Sequence, residues 1–205
     1  IKYAPKKPIQ PERSSAPNQL KRLLITKLIE NKIEVHETND ANWPDTLLEI
    51  TRLKDIHSWL LGQHHSYQNR AESALRKLDP PPKVTRYDCQ YETLKTTLFH
   101  HVDASLTLAD CAIADTGSLV IIPDEKEPRM MSLAPPIHVI LLNENNILSS
   151  LQALVDKPSW HTQTGAMPSN IIVVSSPSKT ADIQQTLAYG AHGPKEVIVL
   201  LNSTP

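Results

Sequence analysis

Three short apolar runs in the C-terminal half, residues 137–142 (IHVILL), 171–174 (IIVV) and 197–201 (VIVLL), constrain the fold more than any other feature. They are too brief for typical helices and dense in Val, Ile and Leu, the signature of strands covered on both faces. Such strands need a layer on each side, and helical patterns are available to supply it. Leu20, Leu23, Leu24, Leu28 and Ile29 fall at helical spacing, with Asn18 as a cap, and predict a helix to about Asn31. Trp43-Pro44-Asp45 opens a second helix through Leu47, Leu48, Ile50 and Leu53, with proline suitably placed in the first turn. A third helix is expected over residues 67–78, stopped by Pro80, Pro81 and Pro82. Two more, at about residues 148–156 and 180–188, would join the apolar runs. Strands are expected at residues 33–35, 58–61 and 84–87. Leu106, Leu108, Cys111, Ile113 and residues 119–122, broken by Asp115-Thr116-Gly117, predict an antiparallel hairpin inside an otherwise mixed sheet. The expected architecture is therefore α/β, with helices around a mixed sheet.

A chain of 205 residues is long enough for one domain with a substantial core. Residues 1–18 are rich in Pro and Lys without apolar periodicity and read as an extended arm, leaving residues 19–205 as one globular unit. A formal net charge of −1, from interspersed acidic and basic residues, supplies no field for a phosphate backbone or an anionic membrane. Nucleic acid is not an expected partner, and no apolar run approaches the roughly 20 residues of a membrane span. The chain begins at Ile1 rather than Met, which leaves a removed leader open; the cytoplasm is the expected location. Cys89 and Cys111 are too few to ligate a four-thiolate iron–sulfur cluster and form no CxxC pair. His64-His65 and His100-His101 lack a carboxylate or cysteine at ligand spacing, so no metal site is expected. Cys111 reads as a small core residue, and Trp43, Trp59 and Trp160 as packing anchors. No GxSxG elbow is present to support nucleophilic hydrolysis.

Three polar turns interrupt the apolar runs. Residues 111–123 read CAIADTGSLVIIP, and residues 170–194 read NIIVVSSPSKTADIQQTLAYGAHGP. In the second segment a buried strand ends in a polar turn, and a helix is expected to begin with Ser178 or Thr180 as cap and Asp182 in its first turn. Amides at such a helix start, with Lys179 nearby, can hold a carboxylate or phosphate at the carboxyl end of a sheet. The same residues can instead serve only as caps. Gly190 and Gly193 flank His192 and place an imidazole at a tight turn before the final strand, either as a proton carrier or anion contact or simply as a hydrogen-bonding brace. Asp115, Thr116, Gly117 and Ser118 can likewise present amides and hydroxyls to a ligand, or merely turn a hairpin.

Together these segments resemble the LUD domain of the LutC/YkgG family of lactate-utilisation proteins. That family has an A-[DE]-[TS]-G-[TS] turn after a strand, an S-G-P-S-x-T-[AS]-D-I-E turn that opens a helix, and a G-x-H-G-P turn before the last strand. The three occur here in that order, and the likeness runs from about Ala104 to the end. Ser176 stands where the family usually has Gly, and Gln184 where it usually has Glu.

The resemblance implies a three-layer fold of the NagB/RpiA/CoA-transferase-like group, with residues 19–205 as one LUD domain. It also implies an accessory subunit acting with LutA-like and LutB-like iron–sulfur partners to oxidise L-lactate to pyruvate, the clusters residing in those partners and no cofactor in this chain. His192 and Asp115 are then the candidate catalytic residues. Thr116, Gly117, Ser118, Ser178, Lys179, Thr180, Asp182, Gly190 and Gly193 are the candidate contacts to a small anionic ligand. A free-standing enzyme for a phosphate- or carboxylate-bearing substrate uses the same residues, whereas an interaction module would use the arm from Lys2 to Pro17.

Overall fold

A computed structural model describes residues 17–63, 66–87, 101–156, 168, 170–181, 187–189 and 193–203. Helix α1 (Pro17–Glu30), strand β1 (Glu34–Asn39), α2 (Trp43–Leu53), β2 (Ser58–Leu61), α3 (Ser66–Leu75) and β3 (Lys83–Arg86) alternate first. Then come β4 (Ala104–Leu108), β5 (Cys111–Ile113), β6 (Ser118–Ile121), a 3-10 turn (Arg129–Ser132) and β7 (Ile137–Asn143). Beyond these lie β8 (Ile147–Leu148), α4 (Leu151–Val155), β9 (Ile172–Val174), β10 (Lys179–Ala181), β11 (Leu187–Tyr189) and β12 (Glu196–Ser203).

The two densest apolar runs become neighbours at the centre. β7 and β12 pair in parallel, with Val139 opposite Ile198 and Leu141 opposite Leu200. The full sheet has the order β1-β12-β7-β4-β2-β3, and every pair in it is parallel. Because strand side chains alternate, each strand feeds two cores. Val139, Leu141, Ile198 and Leu200 join Trp59, Leu61 and Leu106 beneath Trp43, Leu47 and Ile50 of α2 and Ala71 and Leu75 of α3. Ile140, Leu142, Val197, Val199 and Leu201 face the other way, against Leu24 and Leu28 of α1 and Ala112, Leu119 and Ile121 of a second sheet. That smaller sheet has the order β8-β5-β6-β9. The result is three layers: α2 and α3, the parallel sheet, then α1 with the second sheet.

Local chemistry accounts for the helices. In α2, Pro44 and Asp45 occupy the first turn and Arg52 the last, while Trp43, Leu47 and Ile50 form the buried stripe. Leu24 and Leu28, one turn apart, are the buried pair of α1. Arg70 of α3 lies over the Trp43 ring, 5.1 Å from its centre, and pairs with Asp40 at 2.7 Å. No helix among the described residues is long and apolar enough to cross a membrane.

Several elements differ from the sequence expectation. The predicted hairpin exists as β5 and β6, but it belongs to the second sheet and leaves the main sheet wholly parallel. Its strands are buried, so the hairpin acts as a covering layer where a helix was the natural expectation. β9 is an edge strand rather than a doubly covered one, with Val173 half exposed. The helix expected at residues 180–188 is replaced, at its described ends, by β10 and β11 paired antiparallel. Ser, Thr and Asp favour turns as readily as caps, which is why the pattern misleads. The helix expected at residues 148–156 shortens to α4, with the Ser150 hydroxyl accepting from the Ala153 amide at 3.3 Å. Pro17 and Asn18 belong to α1 rather than to the arm, Pro17 standing at the helix start where its missing N–H costs nothing. Residues 1–16, and with them His64, His65, Cys89, His100 and Trp160, lie outside the described residues.

One buried group is at odds with its apolar setting. His138 of β7 is fully buried; its Nε2 lies 2.8 Å from the Thr107 hydroxyl, while Nδ1 has no partner among the described residues. Burial drives its pKa down to about 3, so the folded protein holds it neutral.

Leu106→Ala, at a fully buried site, is expected to cost about 2–5 kcal/mol, and Val173→Ala at the exposed edge less than about 1 kcal/mol, by urea denaturation. Because its folded pKa is depressed, His138 contributes stability that is fully present above its ordinary 6.5 and is lost as pH falls toward 3. Between pH 7 and pH 5 the protein should therefore lose about 2 kcal/mol relative to a His138→Leu variant. Parallel pH dependence of the two urea midpoints would contradict this assignment.

Candidate functional site

The two C-terminal turns meet. The Ser178 amide donates to the Pro194 carbonyl at 2.8 Å, and a Cβ built on Gly193 would stand 3.4 Å from Ser178 Cβ. Pro194 is in turn followed by Lys195 and Glu196, whose amides both donate to the Pro136 carbonyl just before β7. Ser175 through Ser178, Gly193, Pro194 and Val197, with β9 and Ser132–Leu133 opposite, enclose a groove of about 430 Å³. That volume suits a small molecule. The described residues that line it carry hydroxyls, backbone groups and apolar side chains, so what they offer a polar occupant is hydrogen bonds.

The groove lies at the amino ends of β7 and β12 in the parallel sheet, while the turn 175–178 that borders it follows the carboxyl end of β9 in the smaller sheet. The reason is covalent: Gly193 lies only three residues before β12 begins at Glu196, so a turn that introduces the strand must sit where it starts.

The first turn is placed differently. The Asp115 and Thr116 side chains are exposed and outside the groove. Asn31, just after α1, donates its side-chain amide to the Thr116 carbonyl at 2.9 Å. Gly117 has a φ of +64°, and a Cβ there would fall 2.6 Å from Lys27 Cβ, so α1 presses directly on this turn. The link to the groove is indirect: Thr116 Oγ1 donates to Ser118 Oγ at 2.9 Å, and Ser118 Oγ is 2.8 Å from Ser175 Oγ. Of the residues singled out from the sequence, Ser178 and Gly193 are thus brought together, and Ser118 touches their neighbour. Asp115, Thr116 and Gly117 stand on the hairpin against α1. Lys179 and Thr180 lie in β10, while Asp182, Gly190 and His192 lie outside the described residues.

Sequence reasoning missed a polar row behind the groove wall. Val197, which lines the groove, is the register partner of His138, and His138 is the partner of Ser105 in β4. Paired positions on parallel strands share a face, so the row runs inward from the groove beneath the second layer. The Ser105 hydroxyl donates to the Met131 carbonyl at 2.6 Å, beside groove-lining Ser132. A signal did exist: His138 is the one polar residue in the run 137–142.

Comparison with known proteins identifies the family. The family model described as LUD domain matches residues 21–201. An uncharacterised protein of Neisseria meningitidis serogroup B is 34% identical over 169 residues, covering 82% of this chain and 71% of its own. A protein of Shouchella clausii named lactate utilization protein C is 22% identical over 178 residues, 83% of this chain and 75% of its own. The crystal structure of a DUF162 family protein from Deinococcus radiodurans superposes with a TM-score of 0.63 at 15% identity, covering 93% of this chain and 99% of that one. That likeness concerns the fold. With the family model spanning nearly all of the described structure, the chain belongs to the LUD domain family.

Proposed function

We propose that this chain serves lactate utilisation in the cytoplasm, as a subunit that carries no redox cofactor and acts with LutA-like and LutB-like iron–sulfur proteins in oxidising L-lactate to pyruvate. The process is suggested by relatives named lactate utilization protein C. Two cysteines in the whole chain fit a division of labour in which clusters belong to partners.

The observation that carries a molecular role is the Ser178–Pro194 bond, which joins two motif turns into one wall of the groove. In this reading Ser178, Lys179, Thr180, Asp182, Gly190 and Gly193 surround a small polar or anionic ligand, and His192, next to Gly193, moves a proton. Asp115, Thr116 and Gly117 then act by holding Ser118 against Ser175 rather than by touching the ligand. A second reading, a free-standing enzyme for a phosphate- or carboxylate-bearing molecule, draws its support from the size of the same groove.

Affinity purification of the tagged chain from lactate-grown cells tests the first reading. Recovery of cysteine-rich iron–sulfur proteins is expected, and a chain that purifies alone from cells that still oxidise lactate without it would refute the subunit role. For the groove, L-lactate, pyruvate and inorganic phosphate are the probes. At least one should raise the melting temperature, and Ser178→Ala should weaken its binding roughly five- to tenfold. Equal affinity in the variant would remove Ser178 from the ligand contacts.

A further inference from the structure

Residues 122–134, between β6 and β7, form a strap across β2 and β4. One end is fastened at the carboxyl ends of those strands. The Gln63 amide, just after β2, donates to the Lys126 carbonyl at 3.0 Å, and the Glu127 carboxyl accepts from the Leu108 amide at the end of β4 at 3.2 Å. Glu127 also accepts from the Gln68 side-chain amide at 2.6 Å, and the Asp124 side chain accepts from the Lys126 and Glu127 amides, which draws this end into a turn. Further on, Met131 is fully buried against Leu60, Tyr87 and Val102, and its carbonyl accepts from the Ser105 hydroxyl. The next two residues, Ser132 and Leu133, are a wall of the serine-lined groove. Glu127 and that wall are thus two parts of one strap, joined by Pro128 and a single 3-10 turn.

The fastening depends on the state of one proton. Glu127 is 8% exposed, yet none of the ion pairs among the described residues includes it. Around it stand Gln68 and Tyr67 of α3, Gly62 after β2 and Leu108 of β4. The charged groups nearby are Asp124 and Lys126 of its own turn, Asp110 beyond β4, which accepts from the Ile122 amide, and Arg86 of β3, which donates to the Gly62 carbonyl and pairs with Glu72. A buried carboxylate that no cation faces is costly, and the neutral acid far less so. Burial accordingly pushes the Glu127 carboxyl from its ordinary 4.5 up to about 7, the Leu108 amide opposing that rise. The acid also has an acceptor beside it, because Gln68 Oε1 is buried without a partner among the described residues and rotation of the amide turns it toward Glu127.

We propose that Glu127 is a proton-operated latch on the strap 122–134, so that pH sets how firmly Ser132 and Leu133 wall the groove. With the proton on, the neutral acid stays beneath the strap and the turn 124–127 remains docked on β2 and β4. With the proton off, the charge is relieved by lifting that turn into water, and the segment that carries the wall loses its first anchor. The direction follows from linkage. A carboxyl whose closed-state pKa is raised favours closure fully below its ordinary 4.5, and that contribution is lost as pH rises to about 7 and is gone above it. The importance of the wall rests on the groove reading given above, whereas the latch itself does not.

The test is amide hydrogen exchange by NMR on the full-length chain without ligand, at pH values from 5 to 8, each rate divided by its intrinsic value. Protection of Leu108, whose amide bonds Glu127, and of Leu133, whose amide bonds Met130, should fall together by roughly 30-fold between pH 5 and pH 7 and then level off. Central amides such as those of Val139 and Ile198 should not follow this course. Glu127→Gln, which keeps the size and removes the charge, should leave Leu108 and Leu133 protection independent of pH. The Glu127 carboxyl resonance of the unaltered protein, which needs no variant, should titrate near 7. Titration in the ordinary glutamate range, protection of Leu108 that does not change with pH, or a fall at Leu108 that Leu133 does not share would each overturn the proposal. Because no groove ligand enters the measurement, failure of L-lactate, pyruvate or phosphate to bind would sink the groove reading and leave the latch to be decided by the exchange rates.

Discussion

The structure depends on the adjacency of β7 and β12. Both strands present large apolar side chains to both sides, so neither can lie at a surface, and each demands a layer above and below. Those layers come from different material. One is helical, supplied by α2 and α3, whereas the other combines α1 with the antiparallel strands of the smaller sheet. Strand order follows from the same demand. Movement along the sheet toward β3 uses the helical face, and the steps back from β4 to β7 and from β7 to β12 use the other, as crossovers of one hand require.

Much of this was legible in the residues. The runs 137–142 and 197–201 are strands, as expected, because spans this short and this dense in Val, Ile and Leu suit a strand covered on both faces better than a helix. The helix opened by Trp43-Pro44 appears where periodicity and proline put it. The run 171–174 looked equivalent and is not: its composition suits a buried strand, yet it closes the edge of the smaller sheet, because position in a sheet is decided by which partners arrive and not by the strand's own residues. The helix expected from residue 180 failed for a related reason. Hydroxyl and carboxylate side chains satisfy local amides in a turn as well as in a cap, so their spacing does not distinguish the two.

Functional geometry was legible to a similar depth. The two turns of the segment 170–194 do approach one another at Ser178 and Gly193, but the Asp115 turn does not face the groove and connects to its wall only through a chain of hydroxyls. The buried polar groups divide in the same way. His138 announced itself as an interruption in an apolar strand, whereas Glu127, within the polar stretch 124–127, carries no local mark of its burial. Its environment is created by Gln68, Gly62 and Leu108, three segments that only the tertiary fold assembles.

The bond between Ser178 and Pro194 has a consequence for how such chains can diverge. It pins both ends of the intervening excursion, whose described strands β10 and β11 pair with each other. Lengthening a loop already closed at its base adds little entropy, about 0.6 kcal/mol for each doubling. Residues between the two anchors are therefore free to grow, shrink or change character while the wall they spring from keeps its shape, which makes this lobe the place where related chains can acquire different specificities on an unaltered frame.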